Sequence, residues 1–72
     1  MSENKIYKLV EIVGTSSESF ARAADAGVER ASQTLRNIDW FEVVDVRGRI
    51  RDNKVASYQV TLKLGLRYEP KA

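Results

Sequence analysis

Cysteine and histidine are both absent from this 72-residue chain. Without cysteine there is no disulfide framework. Without either residue there is no Cys/His zinc site, and neither a Ser-His-Asp nor a Cys-His nucleophile can be assembled. Proline occurs once, at Pro70 near the end. Neither sign of charge dominates: twelve Lys and Arg stand against ten Asp and Glu, a formal charge of +2, with no block of five like charges. That balance permits nucleic acid without indicating it, so no nucleic-acid partner is expected. No apolar run approaches the ~20 residues of a membrane span. The first residues, Met1-Ser2-Glu3-Asn4-Lys5, are polar. No membrane association or targeting segment is therefore expected, and the cytoplasm is the expected location.

What is present reads as globular: 43% hydrophobic and 31% charged residues. The length admits one domain, 1–72, with flexible ends expected at about 1–4 and 70–72. A core of this size rarely supplies more than roughly 3–5 kcal/mol. With no disulfide and no evident metal site, oligomerisation is the staple that remains.

The run Ile6 to Val13 is β-branched and bounded by Gly14, which predicts a strand. Tyr7, Leu9 and Val13 lie on one face, and Ile6, Val10 and Ile12 on the other, so this strand wants cover on both sides. Gly14-Thr15-Ser16-Ser17-Glu18 reads as a turn into a helix. Thr15 and Glu18 have capping-box spacing, and Ser16 competes as N-cap. A helix is predicted from about Ser17 to Arg36, with Phe20, Ala24, Val28, Ala31, Leu35 and Ile38 as its apolar stripe. Gly27 lies beside that stripe, where close packing compensates its low helix propensity. Asn37 suits a left-handed stop.

Trp40 to Arg51 is the second predicted strand, with Gly48 marking a bulge or close approach. Asp52-Asn53 is the turn. The third strand, about Val55 to Glu69, alternates strictly: Ala56, Tyr58, Val60, Leu62, Leu64, Leu66 and Tyr68 share one face. The other face carries Ser57, Gln59, Thr61, Lys63, Gly65, Arg67 and Glu69. The fold class is α+β, a β-α-β-β subunit with a three-stranded antiparallel sheet partly wrapping one helix. A helix of ~20 residues spans about 30 Å and a strand of ~14 about 46 Å, so the helix leaves sheet uncovered. Uncovered apolar positions and two open edges point to a homo-oligomer.

Four side chains offer binding chemistry. Trp40 is either a half-buried interface aromatic or a platform for a planar ring. Gln59, in mid-strand on the polar face, presents donors and an acceptor that match an imide or amide edge, unless it is simply solvated. Arg47, with Arg49 and Arg51, forms a ladder suited to phosphates or to blocking edge aggregation. Arg67 and Lys63 extend the basic face, with Asp45 and Glu42 as candidate partners. No nucleophile with a base and no paired acid–base carboxylates stand out, so no catalytic residue, no metal ligand and no enzyme activity are expected.

Leu35-Arg36-Asn37-Ile38-Asp39-Trp40-Phe41-Glu42-Val43-Val44, followed by Val46-Arg47-Gly48, resembles the central signature of the dodecins. Glu11 to Ser16 resembles their strand-turn-helix, and Tyr58 to Arg67 their third strand. The resemblance covers about Ile6 to Glu69. It implies a hollow homododecamer that binds flavins (riboflavin, FMN or FAD) as stacked pairs near two-fold axes, for storage and photoprotection without turnover. By the same resemblance Trp40 matches the tryptophan on which the flavin ring lies, and Gln59 the glutamine at its polar edge. Arg47 and Arg67 match arginines of the bacterial members. Some bacterial members also bind coenzyme A, which makes coenzyme A a second candidate ligand without assignable residues. The alternative reading is a dodecin-like shell, or a coenzyme A or small-molecule carrier, with no flavin role.

Overall fold

The computed structural model describes residues 4–68. The expected flexible ends, apart from Asn4, lie outside the described residues, as does Glu69 at the expected end of the third strand. The elements run β1 (Tyr7–Ser16), α1 (Phe20–Ala31), β2 (Ile38–Arg51) and β3 (Lys54–Arg67). The β-α-β-β order and the open antiparallel sheet read from the sequence are thus present. β3, the strand with the cleanest alternation, takes the central place between β1 and β2. Its even-numbered residues Val60, Leu62, Leu64 and Leu66 form the core with Ala23 of α1. Val10 and Ile12 of β1 pack against that core, as do Ala24, Val28, Ala31 and Leu35.

The helix is shorter than the predicted span, at both ends and for separate reasons. At its start, Gly14, Thr15 and Ser16 stay in β1, paired with Val60, Gln59 and Tyr58. Ladder hydrogen bonds there outcompete the capping box. Ser16 Oγ accepts from the Glu18 N–H (2.9 Å), and Ser19 becomes the N-cap, accepting from the Arg22 N–H (3.0 Å). At its end, Ser32 donates its hydroxyl to the Glu29 carbonyl (2.7 Å). The Gln33 and Thr34 N–H groups then bond three residues back, tightening the last turn. Leu35 still reaches the core from this turn. Asn37 sits in the left-handed region (φ 63°), as expected of a stop, but it ends the connection rather than the helix. Ser19→Ala should remove the cap and cost about 1 kcal/mol. Denaturant unfolding checks this as a lower midpoint with unchanged slope.

The deepest helix positions are Ala23 and Gly27, one step off the predicted stripe. The reason is backbone proximity. A Cβ placed on Gly27 would lie 3.4 Å from the Gly14 Cα, and one on Gly14 would lie 3.1 Å from the Gly27 nitrogen. Gly14 lets α1 rest on the main chain of β1, and a Cβ on Gly27 would only reach ordinary contact with it.

Twelve helical residues span about 18 Å, less than the sheet needs along a molecule 58 Å long. Phe41, Val43 and Val46 oppose Leu64, Leu62 and Val60 in register. They therefore share the helix side of the sheet, yet remain 52%, 49% and 49% exposed. The expected shortfall of cover is present and larger than a ~20-residue helix would leave.

Strand β2 cannot be read with one alternation, because Asp39 and Val44 have no partner on β3. These irregularities place Phe41, Val43 and Val46 on one face while Trp40, Glu42, Asp45 and Arg47 take the other, opposite Gly65, Lys63, Thr61 and Gln59. Gly48, expected at a bulge or a close approach, pairs regularly with Tyr58, and a Cβ there would lie 3.2 Å from the Ser57 carbonyl oxygen; the neighbouring irregularity falls between Arg49 and Ile50 and leaves Ala56 unpaired. The extra residue lies on β3, so Arg47, Arg49 and Arg51 keep their alternate spacing along β2. Asp52 and Asn53 both have positive φ (54° and 63°), the geometry of a two-residue hairpin turn.

Candidate binding site

The sheet face turned away from α1 carries all four residues singled out above, in two separate groups. The first is built on Gly65. Its missing side chain leaves a trough across β3, and the Trp40 indole from β2 lies in it: a Cβ on Gly65 would fall within the indole ring. One face of the indole is thus seated on main chain, and the residue remains 39% exposed. Lying across β3, Trp40 reaches Tyr7 on β1, with ring centroids 5.5 Å apart at 61°. This edge-on contact is one that aromatic quadrupoles favour.

Asp39, pushed out of the ladder beside Trp40, bridges the same strands. Tyr7 donates its phenol to Asp39 Oδ2 (3.2 Å), and Arg67 Nη1 donates to Asp39 Oδ1 (3.0 Å). Arg67 Nη2 also donates to Asn37 Oδ1 (3.3 Å). The Tyr7 phenol is held above its ordinary value of 10.0, first by burial, then by the hydrogen bond and charge of Asp39, with Arg67 opposing.

The second group centres on Arg47. Its Nη2 donates to Asp45 Oδ2 (2.9 Å) and Thr61 Oγ1 (3.1 Å), and its Nη1 to Gln59 Oε1 (3.4 Å). Arg47 thereby covers Thr61, which is buried although it lies on the outer face. Asp45, expected as a partner of Arg67 or Lys63, pairs with Arg47 instead, while Arg67 takes Asp39.

Gln59 and Gly65 are six steps apart along β3, about 20 Å at 3.3 Å per residue. The structure therefore brings Arg47 to Gln59, and Arg67 to the surroundings of Trp40, but holds the two pairs apart within one chain. The rung Glu11–Lys63–Glu42 lies between them. Sequence reasoning missed Gly65, Tyr7 and Asp39. A glycine inside a strand signals close approach, and that signal applies at Gly65 more than at Gly48.

Taken together, this is a small α+β subunit with a part-exposed indole laid across the outer face of its sheet. Residues 6–69 match the dodecin family model, and the chain belongs to the dodecin family. It is 51% identical over 65 residues to the dodecin of Thermus thermophilus, covering 90% of this chain and 94% of that one. The structure of dodecin from Streptomyces coelicolor superimposes with a TM-score of 0.90 at 51% identity, covering 97% of this chain and all of that one. A more distant structure, the calcium dodecin of Mycobacterium tuberculosis, is described as calcium chelating with a novel calcium-binding site. It is 26% identical with a TM-score of 0.77, over 93% of this chain and 96% of that one. Among the described residues of this chain, no three Asp or Glu side chains converge to hold a metal ion. No helix of the described residues is long and apolar enough to cross a membrane.

Proposed function

We propose that this protein is a cytoplasmic flavin store: twelve chains form a hollow shell and hold riboflavin, FMN or FAD in stacked pairs against Trp40, in pockets between subunits, without turnover. The observation that carries this reading is the indole seated on Gly65 with its outer side exposed. A fixed flat platform of that kind favours a planar ring: stacking adds about 0.5–1.5 kcal/mol to the gain from burial, and a pre-seated indole loses little freedom on binding.

The spacing on β3 adds a constraint. A gap of about 20 Å is longer than a three-ring system, so a ring lying on Trp40 takes its glutamine contact from a neighbouring copy. A two-fold axis near Leu62, midway between Gln59 and Gly65, would set each copy's Trp40 against the other's Gln59 and Arg47. The amide of Gln59 then meets the ring's imide edge, and Arg47 and Arg67 are placed to attract phosphate where the flavin carries one. When bound, flavin would supply a light-absorbing, redox-active ring, and the Trp40 indole beneath it would serve as the electron-rich quencher of its excited state. The exposed apolar side chains of β2 support assembly into a shell.

Titrating flavin-stripped protein with riboflavin, FMN and FAD, beside Trp40→Ala, tests the reading. Saturable fluorescence quenching is expected in the wild type. A loss of at least tenfold in affinity, about 1.4 kcal/mol, is expected in the variant. No quenching by any of the three from a folded oligomer would overturn the reading and favour a flavin-free shell or a coenzyme A carrier. Sedimentation should report twelve chains.

A further inference from the structure

Trp40 does not stand alone as an electron donor. Its ring meets the edge of Tyr7 at 5.5 Å between centroids, and the Tyr7 phenol donates to Asp39 Oδ2 at 3.2 Å. Arg67 holds the other oxygen of the same carboxylate at 3.0 Å, which fixes the aim of Oδ2 at the phenol. An oxidisable ring in contact with the indole, with a proton acceptor already on its hydroxyl, is the arrangement that couples electron transfer to proton transfer. Resting on the flavin reading above, we propose that Tyr7 and Asp39 form a relay that refills Trp40 after it has given an electron to a photoexcited isoalloxazine ring.

Trp40 is left as an indole radical cation. One electron passes from Tyr7 to the indole, and the phenolic proton passes to Asp39 Oδ2. The products are a neutral indole, a neutral phenoxyl radical and a neutral carboxylic acid, with the total charge unchanged. If the oxidised indole has first lost its N–H proton to water, it takes one back on reduction. Return of the electron from the ring to Tyr7, and of the proton from Asp39, restores the starting state.

Three physical points support the direction of flow. Electron exchange falls steeply with distance, and rings in contact are not limited by it. A phenol that has lost an electron is a very strong acid, and a carboxylate within hydrogen-bond reach takes its proton in place. The starting phenol, by contrast, is held in its protonated form by burial and by Asp39, so the relay is charged at any neutral pH. The consequence is protective: the hole leaves the indole that would touch the flavin for a phenol one ring further away. Tyr58 is not placed for this role, since its ring packs on Phe20 (4.9 Å), on the helix side of the sheet. Tyr68 lies beyond the end of β3.

Pulse radiolysis of the flavin-stripped protein with azidyl radical, which oxidises indole, tests the relay without any flavin present. The visible band of the indole radical should decay as the near-ultraviolet band of the phenoxyl radical grows, at one first-order rate independent of protein concentration. Tyr7→Phe keeps the ring contact and removes the donor. It should slow the indole-radical decay at least tenfold and abolish the linked phenoxyl growth. Asp39→Asn should slow the transfer several-fold and alter its solvent isotope effect, while Tyr58→Phe and Tyr68→Phe should leave it as in the wild type. Wild-type decay in Tyr7→Phe, or loss of the transfer in either control instead, would overturn the relay. Failure of the flavin titration with the transfer intact would remove the flavin reading and leave the Trp40–Tyr7 pair established.

Discussion

Gly65→Ala should lower the affinity for every flavin at least tenfold, about 1.4 kcal/mol, in a protein that still folds. The new methyl group would enter the indole itself and lie 2.6 Å from its Cδ2. The backbone of a central strand cannot retreat, so the ring has to rise or turn out of the trough. Contact with Tyr7 is lost in the same movement, and tryptophan emission should shift to the red as the ring meets water. The fold is far less affected, because alanine in a strand interior gains roughly 0.5–1 kcal/mol over glycine, which offsets part of the crowding. The two readouts therefore separate: binding falls while the far-ultraviolet spectrum is kept. Unchanged affinity for riboflavin, FMN and FAD would show that the seat of the indole does not position the ligand. The result also differs from that of Trp40→Ala, since the indole is still present and only its placement has changed.

Gly14→Ala should be the most damaging single methyl group in the chain, at about 3 kcal/mol, the upper part of the usual range for overpacking. Its Cβ would collide with the Ala23 carbonyl and lie 3.1 Å from the Gly27 nitrogen. Both are main-chain atoms of α1, held by the helix, and neither can swing aside. At roughly 4–8 °C per kcal/mol for a domain of this size, melting should fall by roughly 12–24 °C. Gly27→Ala is the contrast. Its Cβ would meet the Cδ1 atoms of Ile12 and Leu62, both at 3.3 Å, and these are mobile side-chain ends. Alanine also favours the helix by about 1 kcal/mol, so near-neutrality is expected. Thermal unfolding followed by circular dichroism distinguishes the two. Equal losses would show that the helix–strand contact is not limited by main chain.

Much of this architecture was legible because its signals are local. The alternation of Val60, Leu62, Leu64 and Leu66 survives intact in β3, and both faces of β1 divide as its period of two requires. The helix ends were less legible. Thr15 and Ser16 have the chemistry of caps, but pairing with Gln59 and Tyr58 decides their conformation, and that pairing is a tertiary fact. The phase of β2 was ambiguous for the same reason: in a regular strand Glu42 shares a face with Val44 and Val46, which would put a carboxylate on the apolar side, and only the partner strand shows where the extra residue sits. The site divided similarly. Trp40, Gln59, Arg47 and Arg67 were visible as residue types in a familiar pattern. The roles of Tyr7 and Asp39 come from strands brought side by side across β3, 32 residues apart in the chain.

The unpaired Val44 has a consequence for how this chain tolerates changes in length. Losing one residue inside a strand ordinarily turns every later side chain to the wrong face. Here the flanking pairs, Val43 with Leu62 and Asp45 with Thr61, belong to successive residues on β3. Deleting Val44 would join them without disturbing either register, so Phe41 and Val46 would keep their side of the sheet and Trp40 and Arg47 theirs. A deletion two residues away, at Glu42, would instead leave a mismatch between Phe41 and Val43 for the strand to absorb. β2 thus holds a spare residue at a defined place, where descendants of this sequence can shorten the strand without rewriting it.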